Sequence, residues 1–104
     1  MSFEEFRKKM KRMKNFYYWY NIAVNKYGFT KFVTTKEFDD FFAWVNKTIK
    51  GAPKLLQNSY ENLYVLAKTQ KAYANERNVT EKYIQILHKR MLVYLFNSLN
   101  KEQE

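Results

Sequence analysis

Apolar side chains recur at alternating intervals of three and four residues through the first quarter of the chain. They stand at Phe3, Phe6, Met10, Met13, Tyr17, Tyr20, Val24 and Tyr27. This spacing places all of them on one side of an α-helix, and it is typical of helices that pack nearly parallel to one another. Ser2 and Glu5 form a capping box before the series, and Gly28 follows it as a helix-ending residue. We therefore expect a first helix over residues 3–27, with one continuous buried stripe.

Three further helical segments follow, separated by residues that commonly end or begin helices. Helical periodicity covers residues 35–50, residues 53–75 and, from Asn78 or Thr80, the chain to about residue 100. The sequence has no sustained two-residue alternation of the kind that marks strands. The stretch 91–96 is apolar on all sides, so it should lie at the centre of the fold. The sequence thus predicts an all-α fold, a single-domain antiparallel bundle of about four helices formed by residues 1–104.

The composition argues against most catalytic and metal-binding chemistry. Cysteine is absent from the sequence, which excludes disulfides, thiolate nucleophiles and thiolate metal sites. Two glycines are too few for a phosphate-binding loop with a following lysine. The only histidine, His88, has no serine in a sharp turn to activate and belongs to no Glu-x-x-His metal pattern, so we interpret it as a structural or surface residue. We expect no enzyme activity, no catalytic residue, no cofactor and no metal.

Basic residues clearly outnumber acidic ones. The chain has 19 Lys and Arg against 10 Asp and Glu, for a net charge of +9. Such an excess favours a polyanionic partner: nucleic acid, an anionic membrane surface or an acidic protein face. A source genome that is rich in Lys, Asn, Tyr and Phe codons could also produce it. Because the longest strictly apolar run is residues 91–96, far short of the roughly 20 residues of a membrane helix, we expect no membrane span and a cytoplasmic location.

Cations concentrate in two groups along the chain. Between the stripe positions of the first helix stand Arg7, Lys8, Lys9, Lys11, Arg12 and Lys14, and a second group includes Lys68 and Lys71. A rigid helix holds cations at the fixed spacing that binding to successive phosphates requires. We predict sequence-independent contacts with the backbone of RNA or DNA through Arg7, Lys8, Lys11, Arg12, Lys14, Lys68 and Lys71. The protein would then be a non-catalytic accessory subunit of a larger nucleoprotein complex, with protein partners in that complex.

Large aromatic residues follow the first cationic group directly. Tyr18 and Trp19 could stack on unpaired bases if they were exposed, but we favour their burial in the core. The alternative hypothesis is a protein-interaction module, of the inhibitor or immunity type, that binds its partner through Tyr18, Trp19 and Ile22. Aromatic residues of this kind anchor protein interfaces. A basic amphipathic helix could also lie on a membrane, although the other helices need its apolar stripe as a packing partner.

In size, charge, helical character and lack of cysteine, the chain resembles the small subunits of multi-subunit CRISPR effector complexes. That resemblance implies a helical bundle that lines a nucleic-acid path without catalysis. The chain is also similar in kind to bacteriocin immunity proteins, small basic four-helix bundles that act by binding a protein. This second resemblance implies the protein-binding alternative. Neither rests on a shared motif, so neither assigns a role to a residue.

Overall fold

The computed structural model describes residues 1–28 and 32–103. Within these ranges the secondary structure is helical, without strands, and the predicted all-α bundle is confirmed. The described residues form five α-helices rather than about four: α1 (Phe3–Tyr27), α2 (Lys36–Thr48), α3 (Lys54–Tyr60), α4 (Gln70–Arg77) and α5 (Glu81–Gln103). The described ranges contain no helix with the length and hydropathy of a membrane-spanning segment.

Side-chain and backbone caps fix both ends of α1 as the sequence predicts. The Ser2 hydroxyl accepts a hydrogen bond of 3.1 Å from the backbone N–H of Glu5. At the other end Gly28 adopts a left-handed conformation, with φ of 71°, and its N–H donates to the carbonyl of Val24. A side chain with a Cβ would be strained at that φ, which accounts for glycine at this helix end.

The predicted third helix over 53–75 is wrong, because the chain leaves the helix midway. After α3 comes one π-helical turn, Glu61–Val65, and Ala67 then takes a left-handed φ of 53°. The hydroxyl of Thr69 begins α4 by accepting a 3.0 Å hydrogen bond from the N–H of Ala72. Since this N-cap competes with continuation of the earlier helix, two helices form where the periodicity indicates one.

Replacing Ala67 with glycine should raise the free energy of unfolding by about 0.5–1 kcal/mol, because a left-handed conformation strains a residue with a Cβ. Ala72 is the matched control, since it lies within α4. There the same substitution should lower the free energy of unfolding by about 1 kcal/mol. Urea denaturation of both variants measures the difference, and a loss of stability in Ala67→Gly would contradict the strained conformation.

The core forms around α5, which packs against the other four helices of the described chain. Its buried face consists of Ile84, Leu87, Met91, Leu92 and Leu95. In the apolar stretch 91–96, Met91, Leu92 and Leu95 lie in the core as the sequence predicts, but Val93 is 38% exposed, so the prediction is wrong for that residue. From α1 the core receives Phe6, Met10, Met13 and Tyr17.

The predicted stripe of α1 is buried only in its first half. Phe16 and Tyr17 still pack on Phe42 of α2, but Tyr20 is 39% exposed. Tyr20 packs on the rings of Phe16 and Phe32, and the side-chain amide of Asn21 donates to the carbonyl of Val65 in the π-helical turn, so this half of α1 has neighbours that cover it only in part. The expectation of a buried stripe along all of residues 3–27 is therefore wrong beyond Tyr17.

Candidate nucleic-acid interface

The cations of α1 are divided between two flanks of the helix. Arg7, Lys11 and Lys14 follow one another at intervals of four and three residues, which places them on one face. Arg12 lies on the opposite flank, where it lines a separate cavity with Lys9 and the start of α2. The fold therefore separates Arg12 and Lys9 from the other four cations of the group.

A cavity of about 250 Å³ opens beside the first of these faces. One wall consists of α1 residues, with Glu4 as the acidic member: Glu4, Arg7, Lys8, Lys11 and Lys14. Opposite them lie Tyr64, His88 and Leu92. The cavity thus combines a cationic wall with a floor of two ring side chains and one leucine.

A second cavity, of about 370 Å³, begins at Lys14 and extends toward the break between α3 and α4. Its lining includes Tyr18 on the α1 side, Lys68 and Lys71 on the other side, and the acidic residue Glu81. Lys14 lines both cavities, so the two are neighbours on either side of this residue. We call the two cavities together the basic groove and define it by Arg7, Lys8, Lys11, Lys14, Tyr18, Tyr64, Lys68, Lys71 and His88.

The basic groove joins the two cationic groups that stand more than 50 residues apart in the sequence. This proximity depends on the break after the π-helical turn, because Lys68 precedes α4 and Lys71 lies in its first turn. Six of the seven cations predicted to contact phosphate line the groove, and Arg12 is the exception.

Lys14, where the two cavities meet, is a partly buried cation of the groove without an ion pair among the described residues. Its side chain is partly buried, and this burial lowers the pKa of its ammonium group. Among the described residues no carboxylate lies within ion-pair distance of it. A partly desolvated cation without a counter-ion is unfavourable, so an anion entering the groove would gain an unusually strong interaction here.

The other groove cations differ in how freely they can meet a ligand. Arg7 forms an exposed ion pair of 3.0 Å with Glu4, which contributes little energy and can exchange for another anion. Lys68 is held more firmly, at 2.7 Å from Glu76 and 2.9 Å from the side-chain oxygen of Asn62. Lys8, Lys11 and Lys71 are exposed, and the described part of the chain pairs none of them with an acid.

His88 lies on the floor of the groove and contacts Tyr64. The phenol oxygen of Tyr64 and Nε2 of His88 share a hydrogen bond of 2.8 Å, and the two rings stack with centroids 5.7 Å apart. Burial, together with the smaller effect of the charges of Lys14 and Arg7, lowers the pKa of His88 to about 4. At neutral pH the imidazole is therefore uncharged. The sequence does not predict that His88 lies beside Tyr64 in the groove, because this placement arises only when α5 packs beside α1.

The stability of the protein should fall as the pH decreases from about 6.5 to about 4. In this range the unfolded chain binds a proton at His88 that the folded protein does not bind, so protonation favours unfolding. The effect should be on the order of 2–3 kcal/mol. A His88→Gln variant keeps a polar partner for Tyr64 but removes the titration. Urea midpoints of both proteins across this range measure the effect, and parallel curves would contradict it.

The aromatic residues after the cationic group are exposed, so the prediction that they belong to the core is wrong. Tyr18 is 49% exposed and Trp19 is 64% exposed, while Ile22 is partly buried. Tyr18 lines the basic groove. Trp19 follows it on the outside of α1 and packs on the Tyr18 ring in a T-shaped arrangement with centroids 5.3 Å apart.

The described residues contain no group of three or more His, Cys, Asp or Glu side chains that could hold a metal ion. Comparisons with protein-family models, with curated proteins and with solved structures find no match to this chain.

Proposed function

We propose that the protein binds the phosphate backbone of nucleic acid in the basic groove, without sequence specificity and without catalysis. It would serve as an accessory subunit of a larger nucleoprotein complex. The observation that carries the proposal is the position of Lys14, a partly buried cation without an acidic partner among the described residues. It lies where two cation-lined cavities meet.

The spacing of the cations supports a linear polyanion rather than a single small anion. Along α1, Lys11 lies about 6 Å beyond Arg7, and Lys14 lies about 4.5 Å beyond Lys11. Lys71 continues the cationic lining past Lys14. An extended chain of phosphates can neutralise such a row one charge after another, whereas a small anion occupies only one position.

Salt dependence of binding tests the proposal. Fluorescence anisotropy with a labelled single-stranded oligonucleotide should detect binding at 0.05 M salt. If five cations meet phosphates, the logarithm of the association constant should fall with a slope of about −3.5 against the logarithm of the salt concentration. Affinity should then drop roughly 100-fold between 0.05 and 0.2 M salt. Absence of binding at 0.05 M salt would contradict the proposal, as would binding that does not respond to salt.

A second candidate function is supported by the exposure of Trp19. A tryptophan that is 64% exposed beside Tyr18 is of the type that anchors a protein–protein interface. This surface could attach the protein to a neighbouring subunit or, as the main activity, to an inhibited partner. Trp19→Ala should abolish capture of such a partner while charge reversal in the groove leaves it intact. The opposite pattern would exclude this candidate.

A further inference from the structure

We infer that the basic groove takes single-stranded rather than duplex nucleic acid, with one base stacked on Tyr18. The inference rests on the proposed function and specifies its ligand. It depends on the shape of the groove and on the position of an exposed ring among the cations that line it.

The groove is concave, and its two halves measure about 250 and 370 Å³. These volumes lie near the lower end of sites that hold small organic ligands, about 300–1,000 Å³. A flexible single strand can place one sugar-phosphate unit after another in such a depression. A duplex presents a rigid convex surface with its bases stacked inside, so it would contact the rim and leave the floor at His88 and Tyr64 unfilled.

Tyr18 stands where a base of that strand would lie. It is four residues beyond Lys14, which places it about 6 Å further along the same face of α1. Both residues line the second cavity, and Lys68 and Lys71 line it opposite them. A base whose phosphate meets Lys14 could therefore reach the Tyr18 ring.

The exposed Tyr18 ring is suited to stacking. About half of its surface is accessible, and its contact with Trp19 limits how the ring can turn. A ring that is ordered before binding loses less conformational entropy when a base stacks on it. Cations that follow the backbone, together with an aromatic ring for the bases, are the combination by which proteins bind single strands without reading sequence.

The groove's charge favours this occupant over an acidic protein segment. Its cations Arg7, Lys11 and Lys14 succeed one another at nearly every turn of α1, which matches the regular charge of a nucleic-acid strand. Carboxylates of a protein segment lack that regularity, and they offer no planar base for Tyr18.

Three probes of equal length test the inference: a single-stranded oligonucleotide, its duplex, and a strand of the same backbone without bases. The single strand should bind at least about tenfold more tightly than the duplex, and removal of the bases should cost on the order of tenfold. Tyr18→Leu should weaken binding of the single strand by a similar factor and leave binding of the baseless strand unchanged. Tyr83→Leu is the matched control, since this tyrosine of α5 is 36% exposed and does not line the groove.

The outcomes separate the inference from the proposed function. Equal, salt-sensitive binding of single strand and duplex would overturn the inference and leave backbone binding in place. Full retention of single-strand binding by Tyr18→Leu would also overturn it. If none of the three probes binds at 0.05 M salt, the proposed function and the inference both fail. Melting curves of both tyrosine variants establish that they remain folded.

Discussion

Reversal of three groove cations, in the variant Arg7→Glu/Lys11→Glu/Lys71→Glu, should lower the affinity for a single-stranded oligonucleotide by roughly 500-fold at 0.05 M salt. Each phosphate contact releases about 0.7 counterion from a single strand, which is worth about eightfold at this salt concentration. The loss of three such contacts should lower the affinity about eightfold three times over, which gives the factor of roughly 500. The salt slope should become less steep by about 2, and every sequence should be affected equally.

A matched control variant distinguishes the loss of contacts in the groove from the loss of net positive charge. The variant Lys47→Glu/Lys54→Glu/Lys101→Glu changes the total charge by the same amount at exposed positions that do not line the groove. It should lose only a few-fold in affinity, through the weaker long-range field. Anisotropy titrations of both triple variants measure the difference. Equal losses would mean that the groove has no special role in binding.

Truncation of Phe6 to alanine should lower the free energy of unfolding by about 3–5 kcal/mol. The side chain is fully buried, and its ring makes T-shaped contacts with Phe41 and Trp44 of α2 and with Phe96 of α5. Its loss leaves a cavity where three helices meet, and the surrounding rings can fill that space only in part. Because small domains are stable by about 5–15 kcal/mol in total, this variant should melt far below the wild-type protein.

Trp19→Ala provides the comparison within the same helix. The Trp19 ring is larger than the Phe6 ring but mostly exposed, so its removal should change the free energy of unfolding by less than about 1 kcal/mol. Differential scanning calorimetry of the two variants tests this contrast. A large loss of stability in Trp19→Ala would place that ring in a packed environment and would contradict its exposure.

The sequence predicts the all-α class and the ends of α1, because both depend on local patterns. The series from Phe3 onward identifies the buried face of α1, and Ser2 and Gly28 identify its ends. That pattern does not show which aromatic residues near the end of the stripe are covered by neighbouring parts of the chain. Tyr18, Trp19 and Tyr20 therefore look like core residues in the sequence, although they are 39–64% exposed in the structure.

The groove itself could not be predicted from the sequence. Its far wall depends on the break between α3 and α4, where Ala67 takes a positive φ without the glycine or asparagine that usually marks such a position. Its floor depends on the packing of α5, which brings His88 to within hydrogen-bond distance of Tyr64. The sequence does show a loss of apolar periodicity after Ala67, at the break that precedes α4.

The central claim, that phosphates bind in the basic groove, can be tested through the single histidine of the chain. His88 lies on the groove floor beside Lys14 and Arg7, so its ring resonances in an NMR spectrum report on that place alone. On addition of a saturating single-stranded oligonucleotide, the imidazole resonances should shift. The pKa of His88 should rise from its value of about 4, because nearby phosphates favour the protonated ring. Unchanged resonances and an unchanged pKa in the bound state would show that nucleic acid does not enter the groove.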